Sequence, residues 1–286
     1  MTPARRPFRS AARHYSARPP YSAELQPALA ARLGWDGTGR LLDVGCGPGV
    51  VALVLAPSFA EVIGLDPEEA MLAEARAAPE PGAGSMVRWV QGRAEDIPLL
   101  DLGAFRAVTL AQSFHWTDRE AVAAIVHGCL EPGGAMLLIH HELDGHDTVA
   151  VPPAGPPHPP IPHGVVDALL VRYLGRGRPP RDPAQEPYAD LLARTPFGAP
   201  QRLVLPGRRD LVRSVDDVID NYLSTSFAAP DLFGDRLDDF RAELARNLAE
   251  HTDTGCFWEW PGDTEVLIAV KRGEGASPTA GPAPRR

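Results

Sequence analysis

Short apolar runs and longer amphipathic stretches alternate along the first half of this chain. Residues 41–44, 61–66, 86–91, 104–112 and 135–140 are compact apolar runs with the lengths of buried strands. Between them, residues 49–57, 68–78 and 118–130 carry apolar positions at the period of a helix. Strands that alternate with helices predict an α/β fold, a doubly wound parallel sheet with its ligand crevice at the carboxyl ends of the strands. The second half is less regular. Helices are predicted over 164–174, near 189–194, and over about 214–226 and 235–251, with strands over 201–205 and 264–271. Leu211, Val215, Val218, Ile219 and Tyr222 recur at helical spacing and read as core before pocket.

The junction of the first strand and first helix carries the chemistry. Leu41-Leu42-Asp43-Val44 runs into Gly45-Cys46-Gly47-Pro48-Gly49, with glycine at every second position. Glycine opens backbone angles closed to other residues and lets a ligand approach the main chain. A strand, a glycine turn and a helix start together form a nucleotide cradle lined by amide N–H groups. The dinucleotide fingerprint is G-x-G-x-x-G, whereas this turn is G-x-G-x-G with Asp43 two residues before it. A carboxylate there repels a pyrophosphate and welcomes a cation, so S-adenosylmethionine is the obvious candidate ligand. Asp66 ends the second strand about twenty residues beyond the glycines, where a carboxylate can accept both ribose hydroxyls. Each acid has a second reading. Asp43 can orient the loop through backbone hydrogen bonds, and Asp66 can cap the helix that opens Pro67-Glu68-Glu69.

Further motifs fall in order behind the first: Val62-Ile63-Gly64-Leu65-Asp66-Pro67, Gly92-Arg93-Ala94-Glu95-Asp96-Ile97-Pro98, Ala111-Gln112-Ser113-Phe114-His115-Trp116 and Leu130-Glu131-Pro132-Gly133-Gly134. Together with Leu42-Asp43-Val44-Gly45-Cys46-Gly47-Pro48-Gly49 they resemble class I S-adenosylmethionine-dependent methyltransferases. The likeness points to the small-molecule type 11 group that includes the trans-aconitate methyltransferase-like enzymes. Tyr15-Ser16-Ala17-Arg18-Pro19-Pro20-Tyr21 resembles that group's N-terminal arm. The resemblance covers about residues 13–142, with a weaker match over 200–272. A lone glycine motif is weak evidence; five motifs in order are specific.

This resemblance implies a Rossmann-like sheet of seven strands, mostly parallel with the last antiparallel, plus a mainly helical cap inserted after strand five. It also implies roles for particular residues. Gly45, Cys46, Gly47 and Gly49 would bring the backbone to the methionine and ribose parts of the cofactor, with Asp43 beside them. Asp66 would hold the ribose, flanked by Pro67 and Met71. Asp96 would accept from the adenine amino group, or else serve only as a turn residue before Pro98. Ala94, Glu95 and Ile97 would line the adenine, and Gln112 and Ser113 the methionine amino group. Tyr15, Arg18 and Tyr21 would cover the methionine end, with Arg18 suited by charge to its carboxylate. Cys46 needs only to be small.

Composition narrows the partners. The net charge of −9, with no basic stripe, argues against a nucleic-acid partner. Lysine occurs only at 271, and the arginines of 172–181 are broken up by glycine and proline. Three isolated cysteines (46, 129 and 256) suit a reducing, cytoplasmic setting. No apolar run reaches membrane-spanning length, and the basic residues 1–10 lack the apolar core of a secretory signal. The expected organisation is an arm over 1–22, its first ten residues or so disordered, and a cofactor-binding core over 23–142. A proline-rich connector and helical cap follow over 143–200, then the rest of the core with lid helices over 201–272 and a disordered tail over 273–286. One domain with a cap, monomeric or homodimeric and acting on a small molecule, accounts for the length.

Acceptor chemistry should lie in the second half and at the crevice mouth. Residues 151–162 form a stiff proline-rich connector into a lid that can exclude water. Methyl transfer depends chiefly on holding the nucleophile in line with the methyl carbon, and a base helps only a protonated nucleophile. His115 is the candidate base, or else a wall residue beside Trp116; Tyr222 is a further candidate for the acceptor pocket. Of His140 and His141, adjacent on the fifth strand, one should face the crevice. The run His140-His141-Glu142-Leu143-Asp144-Gly145-His146-Asp147 fits no zinc spacing, so no metal is expected. His158 and His163 read as solvated loop residues. The leading function is methyl transfer to a small molecule, to oxygen of a carboxylate or hydroxyl, with nitrogen or carbon open. The alternative is a non-methylating cyclase, isomerase or regulatory binder that keeps the same cofactor. An NAD-dependent oxidoreductase would need the longer glycine spacing.

Overall fold

The computed structural model describes residues 8–79, 85–141, 157–179 and 186–273. Helix α1 (Leu25–Leu33) leads into β1 (Arg40–Val44), α2 (Val50–Leu55), β2 (Glu61–Asp66), α3 (Glu69–Ala77) and β3 (Met86–Gln91). A 3-10 turn at Ala94–Leu99 precedes β4 (Phe105–Ala111), α4 (Arg119–Cys129) and β5 (Leu130–His141). The second half adds α5 (His163–Leu174), α6 (Tyr188–Ala193), β6 (Gln201–Leu205), β7 (Leu211–Ser214), α7 (Val215–Leu223), α8 (Leu237–Ala249), β8 (Cys256–Glu259) and β9 (Thr264–Val270).

Seven strands pair in the order β3-β2-β1-β4-β5-β9-β6. The first five are parallel, and β9 runs antiparallel between β5 and β6. The chain leaves one edge at β3 and re-enters beside β1 at β4, so the strand order reverses above the carboxyl ends of β1 and β4. A ligand crevice opens at such a point. Alternate residues of each strand face opposite sides. Leu41, Val62, Ala107 and Leu137 pack against α1 and α2, while Leu42, Ile63, Val108 and Leu138 pack against α4 and α6. Among the described residues no helix is long and apolar enough to cross a membrane.

The cap has a third apolar cluster, and its composition extends the sequence expectation. Val166, Leu169 and Leu170 of α5 join Val218, Ile219 and Leu223 of α7, Phe240 and Leu244 of α8, and Phe257 of β8. The cap is therefore built from the segment after β5 together with a second insertion between β6 and β9. It includes a two-stranded sheet, β7 with β8. In turn, α6 belongs to the main core through Leu191 and Leu192. Leu211 does not extend α7: it lies in β7, paired with Glu259. The helix starts later because Ser214 caps it, accepting from the Asp217 amide at 3.1 Å while Asp217 accepts from the Ser214 amide at 2.9 Å.

One row across the sheet prepares the site. Trp89 pairs with Gly64, Gly64 with Asp43, and Asp43 with Thr109, so their side chains share a face. Gly64 has no side chain, and the Trp89 ring lies over it; a Cβ there would fall 2.3 Å from the ring. Asp43 accepts from the Thr109 hydroxyl at 2.7 Å and from the Ala52 amide at 3.1 Å, tying β4 and α2 to β1. Burial raises its pKa from 3.8 to about 7, against the pull of those hydrogen bonds.

Gly64→Ala should cost about 1–3 kcal/mol by overpacking, read by urea unfolding, and Trp89→Leu in the same chain should recover part of it. An unchanged midpoint in the single variant would refute the close packing. Asp43 also sets a pH dependence. Its folded pKa exceeds its unfolded one, so its contribution is fullest at acid pH and declines as pH rises from 3.8 to about 7. Asp43→Asn lacks that titration. The melting temperature of wild type minus variant should fall across this window and level off above it.

Candidate active site

The turn after β1 has left-handed φ at Gly45 (66°), Gly47 (54°) and Gly49 (82°), a conformation that side-chain-bearing residues rarely adopt. Crowding adds a second constraint. A Cβ at Gly45 would lie 2.5 Å from that of Ser113, and one at Gly49 would lie 2.3 Å from the Trp89 ring. The amides of Gly45 and Cys46 donate to the Leu65 carbonyl at 2.7 and 3.1 Å, drawing the turn onto the end of β2. Asp66 completes that junction. Its Oδ2 accepts from the Gly47 amide and its Oδ1 from the Glu68 amide, each at 2.8 Å. Only 7 % exposed, its carboxyl has a pKa raised by burial. It sits before the helix cap, since Glu68 occupies the N-cap of α3.

Neighbouring loops close around this turn. Met71 is buried and reaches toward Gly47, whereas Pro67 is exposed. Cys46 is packed beneath the loop, its thiol pKa pushed well up by burial, so it is an inert small residue. Asp96 is half-buried and accepts from the Arg93 amide at 3.1 Å. Glu95 accepts from the Asp118 amide at 3.2 Å, tying this loop to the start of α4. Ala94 and Ile97 send their side chains into the core.

The arm lies over the glycines. Its 3-10 helix, Ala12–Ala17, sets the Tyr15 ring 3.8 Å from where a Gly47 Cβ would be. The Arg18 guanidinium lies over that ring at 5.2 Å and donates from Nη2 to the Ser224 carbonyl at 2.9 Å. Its Nε is buried, with no hydrogen-bond partner among the described residues. Tyr21 stacks on His141 at 4.8 Å, the rings within 9° of parallel. These features fit S-adenosylmethionine: bare glycine backbone, two buried carboxylates beneath it, and a guanidinium with an unused donor above.

Beside the turn, a narrow cleft is lined by Gln112, Ser113, Phe114, His115, His140 and Tyr188, with Leu110, Leu138 and Ile139 below. Gln112 holds a left-handed φ of 52° and donates its amide to Ile139 O at 3.0 Å; such strain gathers at functional sites. Ser113 donates to the Val44 carbonyl at 2.6 Å. Burial and the charges of Arg119 and Arg18 lower the His115 pKa, favouring the neutral imidazole. His140 faces the cleft, 3.5 Å from Glu265, and His141 points the other way onto Tyr21.

Tyr188 is absent from the sequence candidates. It enters from α6, edge-on to Phe114 at 5.3 Å and beneath Arg119 at 5.4 Å. An aromatic residue opening a short helix after Pro187 carries no signal that would have marked it. Two sequence candidates lie elsewhere. Trp116 points outward, 51 % exposed, against Phe8. Tyr222 is buried in the cap core, its hydroxyl 2.7 Å from His163 Nδ1, because the apolar face of α7 turns inward. That bond also corrects His163, which opens α5, while His158 lies 2.8 Å from the Thr254 hydroxyl. No three His, Cys, Asp or Glu among the described residues are placed to hold a metal; residues 142–147 of the histidine-rich run lie outside the described residues.

Comparison with known proteins agrees with this geometry. Residues 42–138 match a family model described as a methyltransferase domain. An uncharacterized methyltransferase of Mycobacterium tuberculosis is 35% identical over 132 residues, 44% of this chain and 48% of that protein. A malonyl-[acyl-carrier protein] O-methyltransferase of Enterobacter lignolyticus is 34% identical over 131 residues, 45% and 49% of the two chains. These matches span about half of each relative's length. A solved structure from Anaeromyxobacter dehalogenans, proposed to be a type II methyltransferase, shares the fold at a TM-score of 0.52 and 24% identity, covering 88% of this chain and 96% of that one. Residues 42–138 are thus similar to a methyltransferase domain, and the sheet that carries them has the fold of a solved methyltransferase-like structure.

Proposed function

We propose that the protein transfers the methyl group of S-adenosylmethionine to an oxygen of a small-molecule acceptor that reaches the cofactor at the cleft between His115, His140 and Tyr188, whose cavity of about 10 Å³ must widen to admit it. The observation that carries this reading is the adjacency of that cleft to the arm-covered glycine turn, with Ser113 belonging to both. Asp66 would accept the ribose hydroxyls through lone pairs left beside its two amide bonds. Asp96 and the Ile97 amide would meet the adenine, and Arg18 would take the methionine carboxylate through its free Nε. Tyr15 and Tyr21 would shut out water.

The chemistry supplied by the bound cofactor is an activated methyl on a leaving group that departs neutral, so no acid is required of the protein. The acceptor oxygen must instead arrive ionised or lose a proton. His115, held toward its neutral form, can take the proton of a hydroxyl. A carboxylate needs no base, and Arg119 and Arg18 beside His115 favour such an anion. Similarity to an O-methyltransferase supports oxygen over nitrogen or carbon. A small-molecule acceptor, rather than nucleic acid or membrane, fits the acidic chain, and the free cysteines fit a reducing cytoplasm.

Calorimetry should detect S-adenosylmethionine and S-adenosylhomocysteine at micromolar affinity and no NAD; binding of none of these would overturn the reading. Asp66→Ala should weaken both ligands by roughly 10–100-fold, the loss of hydrogen bonds to a charged acceptor, with Asp66→Asn as a shape-preserving companion. His115→Ala should slow transfer to a hydroxyl acceptor by about 100-fold or more while leaving cofactor affinity intact. Parallel loss of both would make His115 a wall residue.

A further inference from the structure

The arm over the glycine turn does not rest on the sheet alone. Helix α7 turns Val218, Ile219, Tyr222 and Leu223 into the cap core, which leaves Asp220 on the opposite face. There Asp220 Oδ1 lies 3.0 Å from His14 Nδ1, on the buried side of the arm. Arg241 of α8 donates to the same oxygen at 3.2 Å. The other ring nitrogen of His14 accepts from Arg13 Nε at 3.1 Å. A carboxylate on one side and a guanidinium donor on the other assign the tautomer: Nδ1–H donates to Asp220 and Nε2 accepts. His14 adjoins Tyr15, the residue that covers Gly47. Three residues further on, Arg18 is held by the carbonyl of Ser224, just past the end of the same helix. A third tie runs from the Asp231 amide to Ser10 Oγ at 3.2 Å.

We infer that Asp220 is a positioning residue for the cofactor: through His14 it fastens the cofactor-covering arm to the acceptor-covering cap, so that cofactor release requires the two to part. Arm and cap are about two hundred residues apart in sequence, yet they form one strap across the crevice. Severing the His14–Asp220 bond loosens the arm, leaving the ties at Arg18 and Ser10, and does not touch the glycine turn, Asp66 or the cleft. The expected signature is faster loss of cofactor product and a raised KM for S-adenosylmethionine, with kcat unchanged or raised where product release limits turnover. This inference rests on the proposal that the glycine turn binds the cofactor.

The test is S-adenosylhomocysteine affinity and dissociation rate in the full chain, for wild type, Asp220→Ala, His14→Ala, their double variant and His14→Asn. Glu250→Ala, an exposed acid on the cap, serves as the control. Each alanine variant should weaken binding by about tenfold through faster dissociation, about 1.4 kcal/mol. The double variant should lose no more than either single one, because both cut one contact. His14→Asn can place a donor near the Nδ1 position and should recover most of the loss. If Asp220→Ala fails to fold, His14→Ala carries the same test with the Arg241 contact intact. Wild-type binding with unchanged dissociation in both alanine variants would overturn this inference alone. A wild type that binds no S-adenosylhomocysteine would overturn the cofactor proposal and this inference with it.

Discussion

Gly45 and Gly49 leave no room for a side chain, because Ser113 from the end of β4 fills the space under one and Trp89 from β3 the space under the other. The turn after β1 is thereby pressed against the ends of three neighbouring strands. Its amides can then reach the Leu65 carbonyl and the Asp66 carboxylate. That close approach makes the site. It brings the last carboxylate of β2 under the turn, opens backbone to a ligand above it, and puts Ser113, the floor of the cradle, into the wall of the adjoining cleft.

The same compression buries acids. Asp43 and Asp66 are almost wholly enclosed, and both have raised pKa values from burial. Loss of hydration disfavours their charge, while each is held by two donors that favour it. A cation beside such carboxylates would gain attraction that water cannot screen as well, while a phosphate would meet repulsion. Glycine spacing and buried charge thus select the same class of ligand by independent physics.

How far the sequence reveals this depends on how local each interaction is. The alternation of β1 through β5 with α2, α3 and α4 was legible because burial on both faces leaves unbroken apolar runs and amphipathic periods. The glycine turn and Asp66 were legible because backbone angles and strand ends impose them within a few residues. Tyr188 was not, since its place in the cleft is fixed by the packing of Leu191 and Leu192 into the core and not by its neighbours in sequence. Val218, Ile219 and Tyr222 read as core before pocket, and core is where they lie. Leu211 misled, because the apolar spacing runs on past the Ser214 cap at which the helix starts. The pairing of His14 with Asp220 has no local signature.

A cap built from two separate insertions gives that long-range contact its importance. Segments after β5 and between β6 and β9 merge into one apolar cluster, so α7 is braced by α5 and α8 on its inner face. Its outer face is free to be polar, and it meets the arm through Asp220 and the Ser224 carbonyl. Among the described residues of the arm, the 3-10 helix Ala12–Ala17 is too short to be stable alone in water. The cap side meets it with three hydrogen bonds, at His14, Arg18 and Ser10. The arm over the glycine turn and the cap are consequently parts of one structure, joined by contacts between residues some two hundred positions apart in sequence.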